Sequence, residues 1–377
     1  MSGFRYRPFQ TQPRRFSSMI LGRGFATNTA PTITVPGAQS ATSNVALAIT
    51  GISISDPESN DQTVTLSVSH GTLTLASLTG LTGSGNGTSS LSYSGTLANI
   101  LTALAAVSYT STTDYQGSDT LTINSTDSAG GAATQKTVAI TVTWTPASES
   151  SLVGWWSGDS ITKFFTDDGV TQAAIGDRVK RWYSDNSGSL YFVQATLANR
   201  PILRQGANGK YFVSGESGTT YMSVTQSYAA PDSFVASIRR NSGDFRYSRL
   251  IRPRTTRSLK FLAWGASGNT TRVIHTAENN TPSLENDYDI ESGSVFNFFT
   301  ISFAWGGSGS TNLLRKYGLT GQSKSGEADV TNDTSWDIGE AATGTRYSIS
   351  SILHFNTSIN TTKRALAEAY VDARLPT

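Results

Sequence analysis

The chain contains no cysteine, so no disulfide can brace it and no thiolate can hold a metal. That excludes a small disulfide-stapled secreted domain, although larger β domains need no such staples. Charge is also scarce. Asp, Glu, Lys and Arg make up 15% of the residues, below the usual quarter, so the polar surface must come mostly from Ser, Thr, Asn and Gly. No run approaches the roughly 18–20 apolar residues of a membrane span. A secretory leader needs an apolar core of about 7–15 residues; the nearest run, Met19-Ile20-Leu21, is too short. The three histidines, His70, His275 and His354, are isolated and lack metal-ligand spacing. No phosphate loop, dinucleotide fingerprint or Gly-x-Ser-x-Gly elbow occurs.

What the chain does have is length and alternation. Its 377 residues exceed one ordinary domain, and 35 glycines can supply many turns. The densest pattern runs from Leu152 to Pro201. Leu152-Val153-Gly154-Trp155-Trp156-Ser157 is followed by Asp168-Gly169, Val179-Lys180-Arg181-Trp182-Tyr183-Ser184-Asp185, Gln194 and Arg200-Pro201. Short aromatic or apolar runs between Gly, Asp, Asn and Ser clusters predict strands joined by tight turns. Trp155, Trp156 and Trp182 are expected in the core, since each can bury roughly 150–250 Å². Near the far end, Ser335-Trp336-Asp337-Ile338-Gly339 precedes a final strand from Tyr347 to Asn356, with Trp336 again expected in the core. The period then changes from two to about 3.6. Thr361 to Arg374 reads as a short amphipathic helix with Ala365, Leu366, Ala369 and Tyr370 on one stripe.

Residues 31–145 form an earlier unit. Val64, Leu66 and Val68 alternate with polar residues, and so do Leu73 and Leu75. Val107-Ser108-Tyr109-Thr110, Leu121-Thr122-Ile123 and Val138 to Val142 continue the pattern, with a helical turn at Ile100, Leu101 and Leu104. About seven short strands in ~115 residues predict an immunoglobulin-like sandwich. Trp144 to Ser151, containing Pro and Ser, is expected to be a linker.

Two resemblances follow from these residues. Gly-x-x-Val-x-x-Trp-x-x-Asp, Gln before Arg-Pro, the late Trp-x-Ile-Gly and the closing strand and helix resemble the concanavalin A-like (laminin G-like) jelly-roll modules of phage virion and bacterial surface proteins. The resemblance covers about residues 150–377, and the domain is drawn from 146 to 377. It implies a β-sandwich that binds glycans or docks onto another protein. Ile52-Ser53-Ile54-Ser55-Asp56, Val68 to Thr74, Gly80 to Gly83, Tyr109-Thr110 and Asp114 to Leu121 resemble the cadherin-like repeats of bacterial adhesins. Such repeats act as spacers, and some bind calcium between copies. Asp56, Glu58, Asp114 and Asp119 are the hard oxygen donors that calcium would use; the plainer reading has Asp114 and Asp119 shaping a turn. No other cofactor is expected.

Residues 1–30 carry Arg5, Arg7, Arg14, Arg15 and Arg23 among Phe4, Phe9 and Phe16, with no acid before Asp56. Arginine and aromatic residues are enriched at interface hot spots, so this stretch is expected to be an anchoring arm. A protein groove suits it at least as well as nucleic acid. Residues 56–145 hold six acids against Lys136, and this acidic middle could sit against basic arms of neighbouring copies.

Three features of the outer module could carry chemistry. Glu285, Asp287, Asp289 and Glu291 would share a strand face, but their spacing misses the glucanase pattern of this fold, and Thr281-Pro282-Ser283 reads as a loop. The run from Arg239 through Arg240, Arg246, Arg249, Arg252, Arg254 and Arg257 to Lys260 is either a solvated face or a patch for an acidic partner. Trp264 and Trp305 abut glycine turns, where one ring face can stack on a sugar. Arg252, Arg254 and Arg257 beside them favour an anionic glycan.

The expectation is therefore an all-β, non-enzymatic component of a bacteriophage virion surface. It would have an arm, an immunoglobulin-like spacer and a lectin-like jelly roll, and would decorate the capsid or form a head fibre. Its partners would be other virion proteins, the major capsid protein above all, copies of itself, and cell-surface glycans, with no membrane. The alternatives are a tail fibre or receptor-binding adhesin, a bacterial surface adhesin, and a glycan hydrolase on the jelly-roll fold.

Overall fold

A computed structural model describes residues 28–215, 220–225, 233–242, 249–253, 260–266, 270–276, 282–286, 299–304, 311–316, 322–325, 336–340, 346–357 and 359–377. Among them are 28 strands and two α-helices, an all-β architecture with a short C-terminal helix. No helix among the described residues is long and apolar enough to cross a membrane.

The first unit contains β1 (Thr32–Thr34), β2 (Gln39–Thr42), β3 (Leu47–Ile49), β4 (Ser53–Ser55), β5 (Gln62–Ser67), β6 (Gly71–Thr74), β7 (Thr82–Ser84) and β8 (Ser90–Gly95). Helix α1 (Leu97–Leu104) leads to β9 (Val107–Ser111), β10 (Gly117–Asp127) and β11 (Lys136–Thr143). One sheet runs β2-β11-β10-β5-β8-β7, a second β3-β9-β6, and β1 pairs with β4. Alternation decides the faces: Val64, Leu66, Leu121, Ile123, Val138 and Ile140 point into one core with Leu73, Val107 and Tyr109 of the other sheet. Ile100 and Leu104 of α1 join that core. Eleven strands stand where alternation predicts about seven. Edge strands such as β2 (Gln39-Ser40-Ala41-Thr42) and β7 (Thr82-Gly83-Ser84) carry almost no apolar pattern and are held by ladder hydrogen bonds to β11 and β8.

The second unit contains β12 (Leu152–Trp156), β13 (Phe164–Phe165), β14 (Arg181–Tyr183), β15 (Tyr191–Val193), β16 (Ile202–Gln205), β17 (Tyr211–Ser214), β18 (Met222–Val224), β19 (Ser233–Ser242) and β20 (Arg249–Pro253). It continues with β21 (Lys260–Ala266), β22 (Thr270–Thr276), β23 (Pro282–Asn286), β24 (Phe299–Ala304), β25 (Thr311–Lys316), β26 (Gln322–Ser325), β27 (Trp336–Glu340), β28 (Arg346–Phe355) and helix α2 (Thr361–Asp372). An eight-stranded sheet, β16-β17-β28-β19-β24-β25-β26 with β12 also on β28, faces a six-stranded sheet, β13-β14-β15-β18-β27-β20. Trp156, Phe164, Trp182, Phe192, Val213, Met222, Phe234, Ile338 and Ile352 fill the space between them. Strands β21, β22 and β23 form a separate small sheet.

A bulge between Leu152 and Gly154 changes the phase of β12 against β28. A one-residue slip sends side chains to the opposite face. Trp156 therefore enters the inter-sheet core, while Leu152 and Trp155 face the other way, toward α2. Trp155 is only half-buried, set edge-on to Tyr370 at 5.8 Å, so the expectation of a core position holds for Trp156 and Trp182 but not fully for Trp155. Trp336 pairs in register with Val224 and Pro253; its side chain lies outside the described residues.

Asn360 caps α2 through its side-chain oxygen, which accepts the Lys363 amide at 2.8 Å. That cap sets the phase of the helix. Ala367 and Val371 are buried against Val235, Leu353 and Phe355, with Leu366 and Tyr370 at the margin. The predicted stripe is thus shifted, and Ala365 is exposed. The small Ala367 lets the helix approach the strands closely.

Trp144 packs in the same cluster, 6.0 Å from Tyr370. Pro146 and Glu149 are buried around a single 3-10 turn, Pro146–Ser148. The segment expected to be a linker is therefore built into a packed junction between the two units. Trp144→Ala should destabilise the protein by about 3–5 kcal/mol through the cavity it leaves. Urea unfolding of the full chain checks this.

Candidate functional site

The arm residues Phe4, Arg5, Arg7, Phe9, Arg14, Arg15, Phe16 and Arg23 lie outside the described residues, as do Arg254, Arg257 and Trp305. Trp264 is placed otherwise than its sequence suggests. It pairs with Arg272 inside β21, and Gly265 also pairs within the strand, so Trp264 is not at a strand end. Arg252 lies on β20 opposite Asp337. Of the basic run, Arg239 lays its guanidinium over the Phe212 ring at 4.8 Å, which is a packed rather than a freely solvated position. Burial pulls its guanidinium below the ordinary range. Glu285 sits on β23 opposite Ile274, and Pro282 and Ser283 belong to that strand where a loop was expected. Asp287, Asp289 and Glu291 lie outside the described residues. His354 is fully buried and stacked on Phe234 at 4.2 Å, and His70 stacks on Tyr115 at 4.2 Å.

The proposed calcium donors are not gathered into one site. Asp56 accepts the Glu58 amide at 2.9 Å and Gln62 Nε2 at 2.6 Å. Glu58 is exposed and accepts the Thr29 hydroxyl at 3.1 Å. Asp114 is held by Asn44, whose Nδ2 donates to Asp114 Oδ1 at 3.2 Å. Asp119 Oδ1 accepts the amides of Ser69 and Thr120, and Oδ2 accepts the His70 amide and the Tyr109 hydroxyl. Among the described residues, no three His, Cys, Asp or Glu side chains are grouped as a metal site. The turn-shaping reading of Asp114 and Asp119 is the one these bonds support. Asp127 is likewise engaged, by Asn28 and the Ala129 and Gly131 amides. Only Glu58 and Asp61 of the six acids are exposed, so the acidic middle presents few carboxylates to a basic arm.

The described side chains concentrate elsewhere. In the six-stranded sheet, Phe164, Trp182 and Phe192 pair in register and are buried. Their strand neighbours face the other side. Phe165, Arg181, Val193, Ser223, Asp337 and Arg252 are successive register partners, a single rung crossing all six strands. At its β13–β14–β15 end, Tyr183 meets Phe165 edge-on at 5.3 Å and Tyr191 at 5.0 Å. Arg181 lies over the Tyr191 ring at 4.4 Å and donates to the Tyr183 hydroxyl at 3.0 Å. Asp168 takes Arg181 Nη2 at 2.7 Å and Lys180 Nζ at 2.8 Å. The hydrogen bond from Lys180 is the main reason its carboxyl is held below the usual range. Gly169, at φ 106°, lets the turn close on Tyr183, where a Cβ would lie 2.6 Å from the hydroxyl. Phe165, Arg181, Tyr183 and Tyr191 are all half-buried. Ring faces and edge-placed cations and acceptors together can bind a ligand with both C–H surface and hydroxyls.

A second cluster ties α2 to β12. Asp159 accepts Lys210 Nζ at 2.7 Å and Arg374 Nε at 3.0 Å, and Arg374 covers the Tyr370 ring at 3.5 Å. Lys163 lies 3.7 Å from Asp185, whose carboxyl is pushed up by burial. Through Arg374, Asp159 holds the end of the helix.

No protein-family model matches the chain, and no curated protein matches it. Among solved structures, a mutant of Trypanosoma rangeli sialidase displaying trans-sialidase activity is similar, with 12% identity, a TM-score of 0.37, and coverage of 59% of this chain and 33% of its own. A structure of botulinum neurotoxin type C, whose cell entry depends on two ganglioside molecules, has 9% identity, a TM-score of 0.41, and coverage of 59% and 51%. The binding domain of botulinum neurotoxin DC in complex with SialylT has 10% identity, a TM-score of 0.36 and the same coverage, 59% and 51%. This chain thus spans a third to a half of their length, and such distant likeness says nothing of activity.

The aromatic rung was missed in the sequence although its signal was present: Arg181-Trp182-Tyr183 and Tyr191-Phe192-Val193 each alternate in and out. The inward Trp182 drew the attention that its neighbours merited.

Asp119 generates a test. Burial raises its carboxyl, but the amides of Ser69, Thr120 and His70 and the Tyr109 hydroxyl outweigh that and hold it below 3.8. A depressed acid contributes stability above its unfolded pKa and loses it as pH falls through the folded one. Asp119→Asn should cost about 1–3 kcal/mol near neutral pH, because an amide nitrogen cannot accept those donors. Its deficit against wild type should shrink on acidification between about pH 5 and pH 2, read from urea midpoints.

Proposed function

We propose that the chain is a non-catalytic surface protein of a bacteriophage particle, with the jelly roll as a lectin-like adhesion module. The observation that carries the adhesive reading is the rung on the six-stranded sheet. Tyr183, Tyr191 and Phe165 offer ring surface for the C–H faces of a sugar. Arg181, held by Asp168 and the Tyr183 hydroxyl, sets a cation at the ring edges. Weak single-site binding would be multiplied by many copies on one particle. The non-catalytic reading is supported by how the described carboxylates are used. Asp119 and Asp127 are committed to backbone amides, and Asp159 to Lys210 and Arg374. The arm and the charge-poor polar composition support capsid decoration or a head fibre, anchored through residues 1–30 on the major capsid protein or a neighbouring copy.

Binding of a multivalent form to a glycan array tests the adhesive reading. Arg181→Ala and Tyr191→Ala should each weaken binding about tenfold or more, the cost of a desolvated cation–π or stacking contact. Trp264→Ala should change it little. If wild type binds no glycan, or the two variants bind as well as it does, the module is a structural cap instead. Deleting residues 1–30 should leave a folded, soluble protein that no longer joins particles; normal incorporation would refute the anchoring role.

A further inference from the structure

At the junction, three reactive groups from distant parts of the chain share one buried site. Lys363 comes from the first turn of α2, Glu149 from the end of the 3-10 turn, and Asp114 from the turn between β9 and β10. Lys363 Nζ is 2.6 Å from Glu149 Oε2 and 4.0 Å from Asp114 Oδ1. The two carboxylate side chains are only 3% and 5% exposed. The other bonds aim these groups at one another. Trp144 Nε1 donates to Glu149 Oε1 at 2.8 Å and Asn44 Nδ2 to the same oxygen at 3.3 Å, leaving Oε2 for the amine. Asn44 Nδ2 also lies 3.2 Å from Asp114 Oδ1, and its own oxygen accepts the Asp114 amide at 2.9 Å. Asn44 and Asp114 hold left-handed backbone, with φ of 63° and 58°, to make this reciprocal pair.

An amine on a side chain 19% exposed, with an acyl group and a carboxylate proton carrier that are both buried, supplies the parts of an amide-forming reaction. We propose that Lys363 and Asp114 condense to an isopeptide bond across the junction, with Glu149 as the proton shuttle. Glu149 Oε2 takes a proton from the Lys363 ammonium and delivers it to an Asp114 oxygen. Nζ then bonds to Asp114 Cγ, while Asn44 Nδ2–H stabilises the charge developing on Oδ1. A second ammonium proton crosses through Glu149 to the protonated oxygen, the C–O bond breaks, and water leaves. One proton stays on the new amide nitrogen and Glu149 is restored. No oxidant or co-reactant is needed. Holding the groups together replaces an encounter in solution, for which effective molarities of about 10⁵–10⁸ M are known. The reaction runs once per chain, so it is compatible with a non-catalytic function. Its product would staple the first unit to the C-terminal helix and remove chain entropy from the unfolded state, as other cross-links do.

Intact-mass measurement of the purified, denatured full chain tests this. Wild type should be lighter than its sequence requires by one water, relative to Lys363→Arg and Glu149→Gln, whose masses should show no loss. A protease digest should contain one branched peptide joining Lys363 to Asp114. A wild-type mass with no such loss overturns the proposal, and so does a water loss without that peptide. Loss of one ammonia, with Lys363 joined to Asn44, would overturn the assignment of Asp114.

Discussion

Glu149 is the residue on which the relation of the two sandwiches depends. Its carboxylate is buried and receives an indole N–H, a carboxamide N–H and an ammonium, each from a different part of the chain. A buried carboxylate without such partners is severely destabilising. The donors therefore have to arrive together: Trp144 from the end of the first sandwich, Asn44 from its β2–β3 turn and Lys363 from the helix of the second. Satisfying one charge aligns three elements. A buried ion pair need not add net stability over an apolar contact, but it admits very few geometries, which is how it selects one arrangement.

The second constraint is the bulge in β12. Without the shift between Leu152 and Gly154, Trp156 would fall on the same face as Leu152. With it, Trp156 completes the inter-sheet core and Trp155 turns to Tyr370 and the helix. The eight-stranded sheet consequently has apolar contacts on both sides, with the opposite sheet through Phe234 and Ile352 and with α2 through Val235 and Leu353. The six-stranded sheet carries its aromatic rung on the side away from that core.

The fold class was legible in the sequence because side-chain periodicity is a local property. Val64-Thr65-Leu66 or Arg181-Trp182-Tyr183 states which residues turn inward whatever lies opposite. The change of period after Asn356 likewise announced a helix. Its buried stripe was misjudged, since the contact with Val235 and Phe355 selects Ala367 and Val371 rather than Ala365. Edge strands such as β7 were illegible because ladder hydrogen bonds require no apolar side chain. The segment after Trp144 resembled a linker because Pro and Ser end strands, and nothing local reveals that Trp144 and Glu149 are covered by a helix more than two hundred residues later.

The sequence by itself determined the two sandwiches, the buried tryptophans Trp156 and Trp182, and the closing helix. Each follows from spacing along a few neighbouring residues. The tertiary structure alone decided which polar residues meet. Asp56, Glu58, Asp114 and Asp119 look equivalent as oxygen donors, yet the fold gives each its own hydrogen-bond donors, and one of them a lysine from the far end of the chain. The reason is physical. Hydrophobic periodicity is imposed by the local backbone, whereas a hydrogen bond or ion pair between Asn44, Asp114, Glu149 and Lys363 exists only once packing has brought distant segments within a few ångströms.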